Sequence, residues 1–278
     1  MVLQRGPQRS VVWGYSDSLN RPIFLAMNNK IYSTMSSSSV DSIGASIWSV
    51  TLDAQTEEGP FQVNVTQPLA NGTVETITLN DVLFGDVWIC SGQSNMGFSL
   101  NRMLNASIEI QNANQYPKIR LFAVAQTPAS TPQEELISIS MRWSLASNIT
   151  AASGANSAVC WLYGRFIHQA LGGRPMGMIH TSWGGTNIEL WSPPEVLKEC
   201  AVNALSFSFR NNIHNERRIL FRTERTMLEE IHGSTDKVRV QLNSTDLYNA
   251  MIYPFTRMVI KGSIWYQGIV LMLMRKHN

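Results

Sequence analysis

Apolar residues in the first 80 positions recur in short alternating segments that are separated by turn signals. The alternation is clearest at 45–52, 61–65 and 74–79, and Gly59-Pro60 and Asn71-Gly72 lie between such segments. Alternation with period two is typical of strands with one buried face, and Gly, Pro and Asn are residues that turns favour. The pattern therefore predicts a small antiparallel β domain over residues 1–80.

From Asp81 the pattern changes to longer, mostly apolar runs that alternate with a helical periodicity. Apolar residues recur at helical spacing over 158–170, and Leu171-Gly-Gly173 is a typical helix end. Such runs fit parallel strands buried on both faces. Strands alternating with helices predict an α/β domain with a largely parallel sheet over residues 81–278. The predicted strands are 82–89, 119–125 and 176–180.

The first of these strands leads into a small polar turn, Ser91-Gly-Gln-Ser-Asn95. The carboxyl ends of strands in an open α/β sheet face the crevice in which ligands usually bind. Ser94 is therefore the candidate nucleophile, with its own amide and a helix predicted to begin near Met96 helping to hold an oxyanion. The same residues also fit an ordinary strand-to-helix turn with a Ser or Asn cap.

The strand at 176–180 leads into a second turn, Thr181-Ser-Trp-Gly-Gly-Thr186, which repeats the geometry of the first. Two interpretations are open for it. It is either an ordinary glycine turn or a loop that offers a glycine amide to an oxyanion. Residues 262–267 read as a third strand that ends at the same edge.

Four separated blocks resemble the sialate O-acetylesterases, which are members of the SGNH hydrolase group. The resemblance runs in order from residue 1 to residue 268 and is lost in parts of the N-terminal region and between about 203 and 245. It implies an SGNH-type three-layer parallel sheet preceded by a small antiparallel β domain. The blocks are Ile89–Met96, Thr181–Trp191, Leu247–Phe255 and Ile264–Gly268.

The resemblance implies an esterase that releases acetate from O-acetylated sialic acids or sialoglycans, without a metal or organic cofactor. In that scheme Ser94 is the nucleophile, and Ser94 and Gly184 supply amides to the oxyanion. Gly184 is preferred to Gly185 for this role, and Gln267 lies near the third donor position. His180 is not assigned as the base, because the family takes its base from much later in the chain.

The chain departs from the family pattern after Gln267-Gly268. The family continues with Glu-Ser-Asn, whereas Ile269-Val-Leu271 follows here, and no Asp-x-x-His occurs in the 278 residues. Glu229 and His232 are three apart but are interpreted as surface residues. The first residues resemble an internal segment of the family's β domain. We therefore expect a chain truncated at both ends, with an incomplete SGNH-type sheet, and inactive as written because the base-bearing segment is absent.

Two functions of other classes fit the same sequence. A non-catalytic carbohydrate-binding protein would use Trp183, Trp191 and Trp265 as stacking surfaces, and a partner-binding remnant would pair with another chain through residues 269–274. The three tryptophans also fit plain core packing.

The composition of the chain limits the classes of partner that it is expected to bind. A net charge of +2 with 15% charged residues gives no concentrated basic field, so nothing indicates nucleic acid or an anionic membrane surface. No apolar run is long enough to span a membrane, and residues 1–20 lack the apolar core of a signal peptide.

Sequons and cysteines bear on the compartment. Five sequons, together with the resemblance, predict a secreted or lysosomal glycoprotein. Three cysteines are too few for a disulfide framework or a zinc site. One pair plus a free thiol stays open, although the apolar surroundings of Cys90 and Cys160 favour an inert buried thiol at each position. The sequon asparagines are Asn64, Asn71, Asn105, Asn148 and Asn243.

Overall fold

The computed structural model describes residues 1–16, 18–37, 46–69, 71–200, 225–228 and 239–267. In chain order its strands are β1 Val2–Gln4, β2 Val11–Ser16, β3 Pro22–Met27, β4 Lys30–Met35, β5 Ser46–Thr51, β6 Phe61–Pro68, β7 Val74–Gly92, β8 Ile119–Val124, β9 Ile139–Leu145, β10 Met176–Ser182, β11 Arg225–Leu228, β12 Arg239–Leu242 and β13 Gly262–Tyr266. Three α-helices are α1 Ala106–Asn112, α2 Asn148–Ala152 and α3 Ala158–Ala170, and the described residues 194–200 are also helical. Short 3-10 turns lie at Leu100–Arg102, Ala113–Gln115, Ile188–Trp191 and Tyr253–Phe255, and a π-helical turn at Tyr248–Ile252.

The long strand β7 joins an antiparallel and a parallel region of one nine-stranded sheet. Its first half pairs antiparallel with β6, which pairs with β3, and β3 pairs with β4. Its second half pairs in parallel with β1, β10 and β13. Beyond β10 lie β8, in parallel, and β9, antiparallel. The strand β7 runs without a break through residues 80 and 81, where the sequence pattern predicts a boundary between two domains. That division into two domains stays a prediction.

The prediction of an α/β class is confirmed by this large mixed sheet and the helices beside it. The contacts define two compact units. The first, made of 1–125, 138–184 and 255–267, contains the whole nine-stranded sheet. The second includes the described parts of 126–137 and 185–254, among them the antiparallel pair β11–β12. No helix in the described ranges has the length and apolar character that crossing a membrane requires.

Two apolar clusters hold the first unit together, one for each region of the sheet. In the parallel region, α3 packs closely on β10, since a Cβ added to Gly164 would lie 2.7 Å from the sulfur of Met178. That cluster also takes in Met96, two residues after Ser94. The antiparallel cluster contains Leu3, Ile23, Leu25, Met27, Trp48, Val50, Leu52, Val63, Val65, Val82 and Phe84. The parallel cluster contains Cys90, Met96, Leu100, Ala113, Ile119, Leu121, Ala146, Ala151, Ala158, Cys160, Trp161, Met176 and Met178.

Cys90 and Cys160 form a disulfide, so the expectation of two free buried thiols is wrong. Their Cα atoms are 5.7 Å apart although 70 residues separate them in sequence. Both side chains are buried, and apolar surroundings accommodate a disulfide as readily as two thiols. The bond ties β7, four residues before Ser94, to α3. Cys200 is free and exposed.

The sequence pattern does not predict the hairpin formed by β3 and β4. Its turn residues, Asn28 and Asn29, both have positive φ, at 49° and 58°. Two consecutive residues of this kind are typical of the tight hairpin turns in which Asn and Gly are favoured. The Asn-Asn pair between apolar segments was therefore the signal for this hairpin.

Candidate active site

Three strands end side by side at the candidate site. In the parallel ladder Gly92 lies opposite Ser182 of β10 on one side and Tyr266 of β13 on the other. Two hydrogen bonds extend the ladder beyond these strands: the Trp183 amide donates to the Gly92 carbonyl at 3.1 Å, and the Gln93 amide donates to the Tyr266 carbonyl at 3.1 Å. The two turns and the third strand end that the sequence singles out therefore lie at the same edge of the sheet.

Gly92 permits this close approach. Its φ is 136°, and a Cβ added there would lie 2.2 Å from the carbonyl oxygen of Tyr266. L-residues with a side chain rarely adopt such a φ, and the contact is far inside van der Waals distance. Only glycine fits at this position without moving β13 away from β7.

Ser94 lies in a tight turn over Gln93–Gly97, here called the nucleophile turn. The Gly97 amide donates to the Gln93 carbonyl at 2.8 Å and closes it. Ser94 itself is exposed, whereas Met96 is fully buried and anchors the turn in the core. The turn thus exposes Ser94 to solvent, while the buried Met96 side chain anchors the turn in the core.

The helix expected to begin near Met96 is absent from this described segment, so that expectation is wrong. The chain instead makes the turn and then a single 3-10 turn at Leu100–Arg102. The backbone of residues 98–100 pairs antiparallel with residues 156–158 at the start of α3, and the Leu100 amide donates to the Asn156 carbonyl at 3.0 Å. A helix dipole therefore contributes nothing to Ser94, and oxyanion donors have to be single amides.

Gly184 lies directly against Ser94. A Cβ added to Gly184 would sit 3.5 Å from the Ser94 Cα and 3.6 Å from its Cβ. The two residues come from turns about 90 positions apart in sequence, and the pairing of β10 with β7 brings them together. Gly185 follows with a φ of 75°, in the left-handed region that favours glycine. The roles of Ser94 and Gly184 as oxyanion donors stay predictions.

Gln267 follows β13 directly and is half-buried. Its side-chain oxygen accepts a hydrogen bond from the Trp265 indole nitrogen at 3.2 Å. The preceding residue, Tyr266, is the one bonded to Gln93 beside the nucleophile turn. Gln267 therefore lies at the end of the third strand, where the resemblance puts it, and its role as a third donor stays a prediction. Residues 269–274, Glu229 and His232 lie outside the described residues.

His180 makes hydrogen bonds through both ring nitrogens, and neither reaches Ser94. Its Nδ1 lies 2.8 Å from the Ala155 carbonyl and its Nε2 lies 2.7 Å from the Ser182 hydroxyl. Burial lowers the pKa of His180, and the hydrogen bond to Ala155 opposes that effect in part. His180 is therefore a neutral imidazole at neutral pH. The sequence reasoning passed over Ser182, although it stands inside the second block.

The tryptophans considered as stacking surfaces differ in exposure. Trp183 and Trp191 are buried, at 3% and 5% exposure, whereas Trp265 is 42% exposed. Two of the three therefore pack inside the protein, and a carbohydrate-stacking role would fall on Trp265.

The five sequon asparagines all lie on described residues. Asn71, Asn105 and Asn243 are exposed, and Asn64 and Asn148 are half-buried. In the turn at Asn71 the side-chain oxygen accepts hydrogen bonds from the amide and hydroxyl of Thr73. Their glycosylation stays a prediction. Within the described ranges no group of three or more His, Cys, Asp and Glu side chains is placed to hold a metal ion.

Comparison with known proteins gives relatives over nearly the whole chain. It is 34% identical over 281 residues to the sialate O-acetylesterase of Rattus norvegicus, which covers 96% of this chain and 50% of that protein. It is 33% identical over 273 residues to the sialate O-acetylesterase of Homo sapiens, which covers 96% of this chain and 46% of that protein. The chain thus spans about half the length of the curated relatives it matches. No protein-family model matches it.

A solved structure is also similar to this fold. The crystal structure of a carbohydrate acetylesterase from Xanthomonas citri superposes with a TM-score of 0.70 at 28% sequence identity. The match covers 96% of this chain and 49% of that one. Sequence and structure comparisons therefore agree on relatives of one chemical type.

Proposed function

Because this chain is related to the sialate O-acetylesterases over 96% of its length, we propose that it is a carboxylic ester hydrolase acting on O-acetylated sugars. The proposed substrates are O-acetylated sialic acids or sialoglycans, and the proposed fold group is that of the SGNH hydrolases. One observation carries the proposal: an exposed serine on a tight turn, with Gly184 so close that a Cβ added to it would lie 3.5 Å from the Ser94 Cα. No cofactor is part of the scheme.

The proposed chemistry proceeds in two halves. The Ser94 oxygen attacks the acetyl carbonyl carbon, and the hydroxyl proton passes to a base. The bond between that carbon and the sugar oxygen then breaks, the sugar leaves as an alcohol after taking up the proton, and acetyl-serine remains. Water next attacks the acetyl group, so that acetate leaves and Ser94 regains its proton.

The tetrahedral intermediate carries a negative charge on the former carbonyl oxygen. The amides of Ser94 and Gly184 are the proposed donors to it, with Gln267 as the third. Removal of one such donor in a serine hydrolase costs about 10²-fold to 10³-fold in turnover. Because the described site lacks a helix start at Met96, these donors carry the whole stabilisation of the charge.

The base is the part of the scheme for which this chain offers no candidate of the expected kind. Asp-x-x-His does not occur in the 278 residues, and His180 is bonded to Ala155 and Ser182. We therefore propose that these 278 residues hold the nucleophile and the oxyanion donors, and that on their own they turn substrate over slowly. Loss of one member of a nucleophile and base unit costs about 10⁴-fold to 10⁶-fold.

The proposed compartment is secretory or lysosomal. Buried disulfides persist in oxidising compartments, and the Cys90–Cys160 bond fits such an environment. Three exposed sequon asparagines support the same assignment.

Chemical rescue tests the proposal. Acetate release from an O-acetylated sialic acid is measured for the purified chain and for Ser94→Ala, each with and without added imidazole, after thermal melts show that both are folded. We expect equal rates without imidazole, and with imidazole a rate that depends on Ser94.

Two outcomes would change the proposal in different ways. A Ser94-dependent rate without imidazole would show that a base exists within these 278 residues and would refute the slow-turnover part. A rate that never depends on Ser94, in folded protein, would refute the esterase assignment for this chain.

A further inference from the structure

Half-buried His180 and buried Ser182 form a hydrogen-bonded pair at the end of β10. Residues two apart in a strand point to the same face of the sheet, so both side chains leave β10 in one direction. The His180 Nε2 and the Ser182 Oγ are 2.7 Å apart, and the His180 Nδ1 lies 2.8 Å from the Ala155 carbonyl. The pair thus links the loop before α3 to the second turn.

The carbonyl of Ala155 fixes the direction of both hydrogen bonds. A carbonyl oxygen only accepts, so the proton of the neutral imidazole resides on Nδ1 and is donated to Ala155. Nε2 is then unprotonated and accepts the proton of the Ser182 hydroxyl. Burial lowers the pKa of His180, which agrees with a neutral ring. The Ser182 hydroxyl is therefore oriented, with its proton directed to His180.

This serine and histidine pair is not arranged as a second nucleophile and base. Ser182 is 4% exposed, so a substrate carbonyl cannot reach its oxygen. The oxygen lies instead beneath the nucleophile turn, where a Cβ added to Gly97 would come within 3.2 Å of it. Gly97 closes that turn through its bond to Gln93.

We infer that Ser182 and His180 are positioning residues that support the nucleophile turn from below and set where Ser94 stands relative to Gly184. The inference rests on the proposed role of Ser94. His180 holds the Ser182 oxygen in place, and that oxygen limits how far Gly97 can move into the sheet. Because Gly184 lies two residues after Ser182, the end of the same strand positions the nucleophile turn and its neighbouring amide together.

A double-mutant cycle tests the contact between Ser182 and Gly97. Hydrogen exchange of the amide at position 97 is measured in the 278-residue chain, in Gly97→Ala, in Ser182→Ala and in the double variant. Each single change is expected to speed this exchange roughly tenfold. The double variant is expected to exchange no faster than Ser182→Ala alone, because an alanine at 97 then no longer meets the hydroxyl.

Ser10→Ala is the matched control, because Ser10 is also buried and its hydroxyl donates one hydrogen bond, to Gln4 at 2.7 Å. It is expected to leave exchange at position 97 unchanged. Nitrogen NMR of the histidines adds a second measurement, the chemical shift of the His180 Nε2. A pair that only fills space would leave this shift unchanged. The His180 Nε2 signal is expected to shift in Gly97→Ala, because the added Cβ would press on the Ser182 hydroxyl that donates to Nε2.

Three results would overturn the inference: exchange in Ser182→Ala equal to wild type, effects of the two single changes that multiply in the double variant, or a His180 ring protonated on Nε2. None of these measurements uses turnover. A failed acetate assay would therefore count against the proposed function alone, and a failed cycle against this inference alone.

Discussion

Removal of the Cys90–Cys160 disulfide is the change whose effect can be worked out most directly. The bond closes a loop across a sequence separation of 70 residues. In the chain-entropy treatment a loop of this size restricts the unfolded chain by about 15 cal/mol/K, which corresponds to about 4 kcal/mol at 25 °C. Cys90→Ala combined with Cys160→Ala should lower the free energy of unfolding by about that amount.

The expected loss should be visible in a thermal melt. For a unit of roughly 150 to 250 residues, each kcal/mol moves the melting midpoint by about 2–4 °C, so the double variant should melt about 8–16 °C lower. Cys200→Ser is the matched control, because Cys200 is free and exposed, and it should melt like the wild type. Thiol titration of unfolded wild type should find one free thiol per chain.

Two results would refute this reasoning. A double variant that melts within about 2 °C of the wild type would show that the cross-link contributes little to stability. Three titratable thiols in wild-type protein prepared under oxidising conditions would show that the bond does not form. The second result would also remove one of the two supports for the secretory assignment.

Two further predictions concern the site. Gly92→Ala should destabilise the chain by about 3 kcal/mol, because a Cβ there meets the Tyr266 carbonyl at 2.2 Å. Urea unfolding should show this loss. Gly154→Ala is the neutral control, because a Cβ there meets no atom within 4 Å. Burial lowers the pKa of His180, so the unfolded chain takes up that proton first and unfolding free energy should fall as pH drops below about 6.5. His180→Gln should weaken this dependence between about pH 7 and pH 5, and an unchanged slope would contradict it.

Much of the sheet could be predicted because its signals are local. The apolar runs in β7, β8 and β10 and the glycines after α3 each act through neighbouring residues, so a short window of sequence contains them. The polar turns after β7 and β10 could be placed at one sheet edge because parallel strands all end on the same side. Ser94 and Gly184 follow from that rule together with the resemblance.

The helix expected at Met96 failed for a reason that a local window does not contain. Strand-to-helix turns are common after buried strands, and Ser94 and Asn95 are good caps. The backbone of residues 98–100, however, pairs antiparallel with residues 156–158, which lie more than 50 positions later in the sequence. Tertiary packing outweighs helix propensity here, which amounts to less than about 1 kcal/mol per residue.

The supports of the site are the part that sequence reasoning could not reach. Cys160 lies in a helix and Ala155 in the loop before it, and neither carries a motif, yet one is bonded to β7 and the other orients His180. Both contacts depend on the packing of α3 against β10, where Gly164 lies close to Met178. A nucleophile can be recognised from its turn, whereas the residues that hold the turn are defined by the partners that folding brings to them. Substitutions that loosen the packing of α3 on β10 should therefore alter the position of Ser94, although they lie outside the motifs.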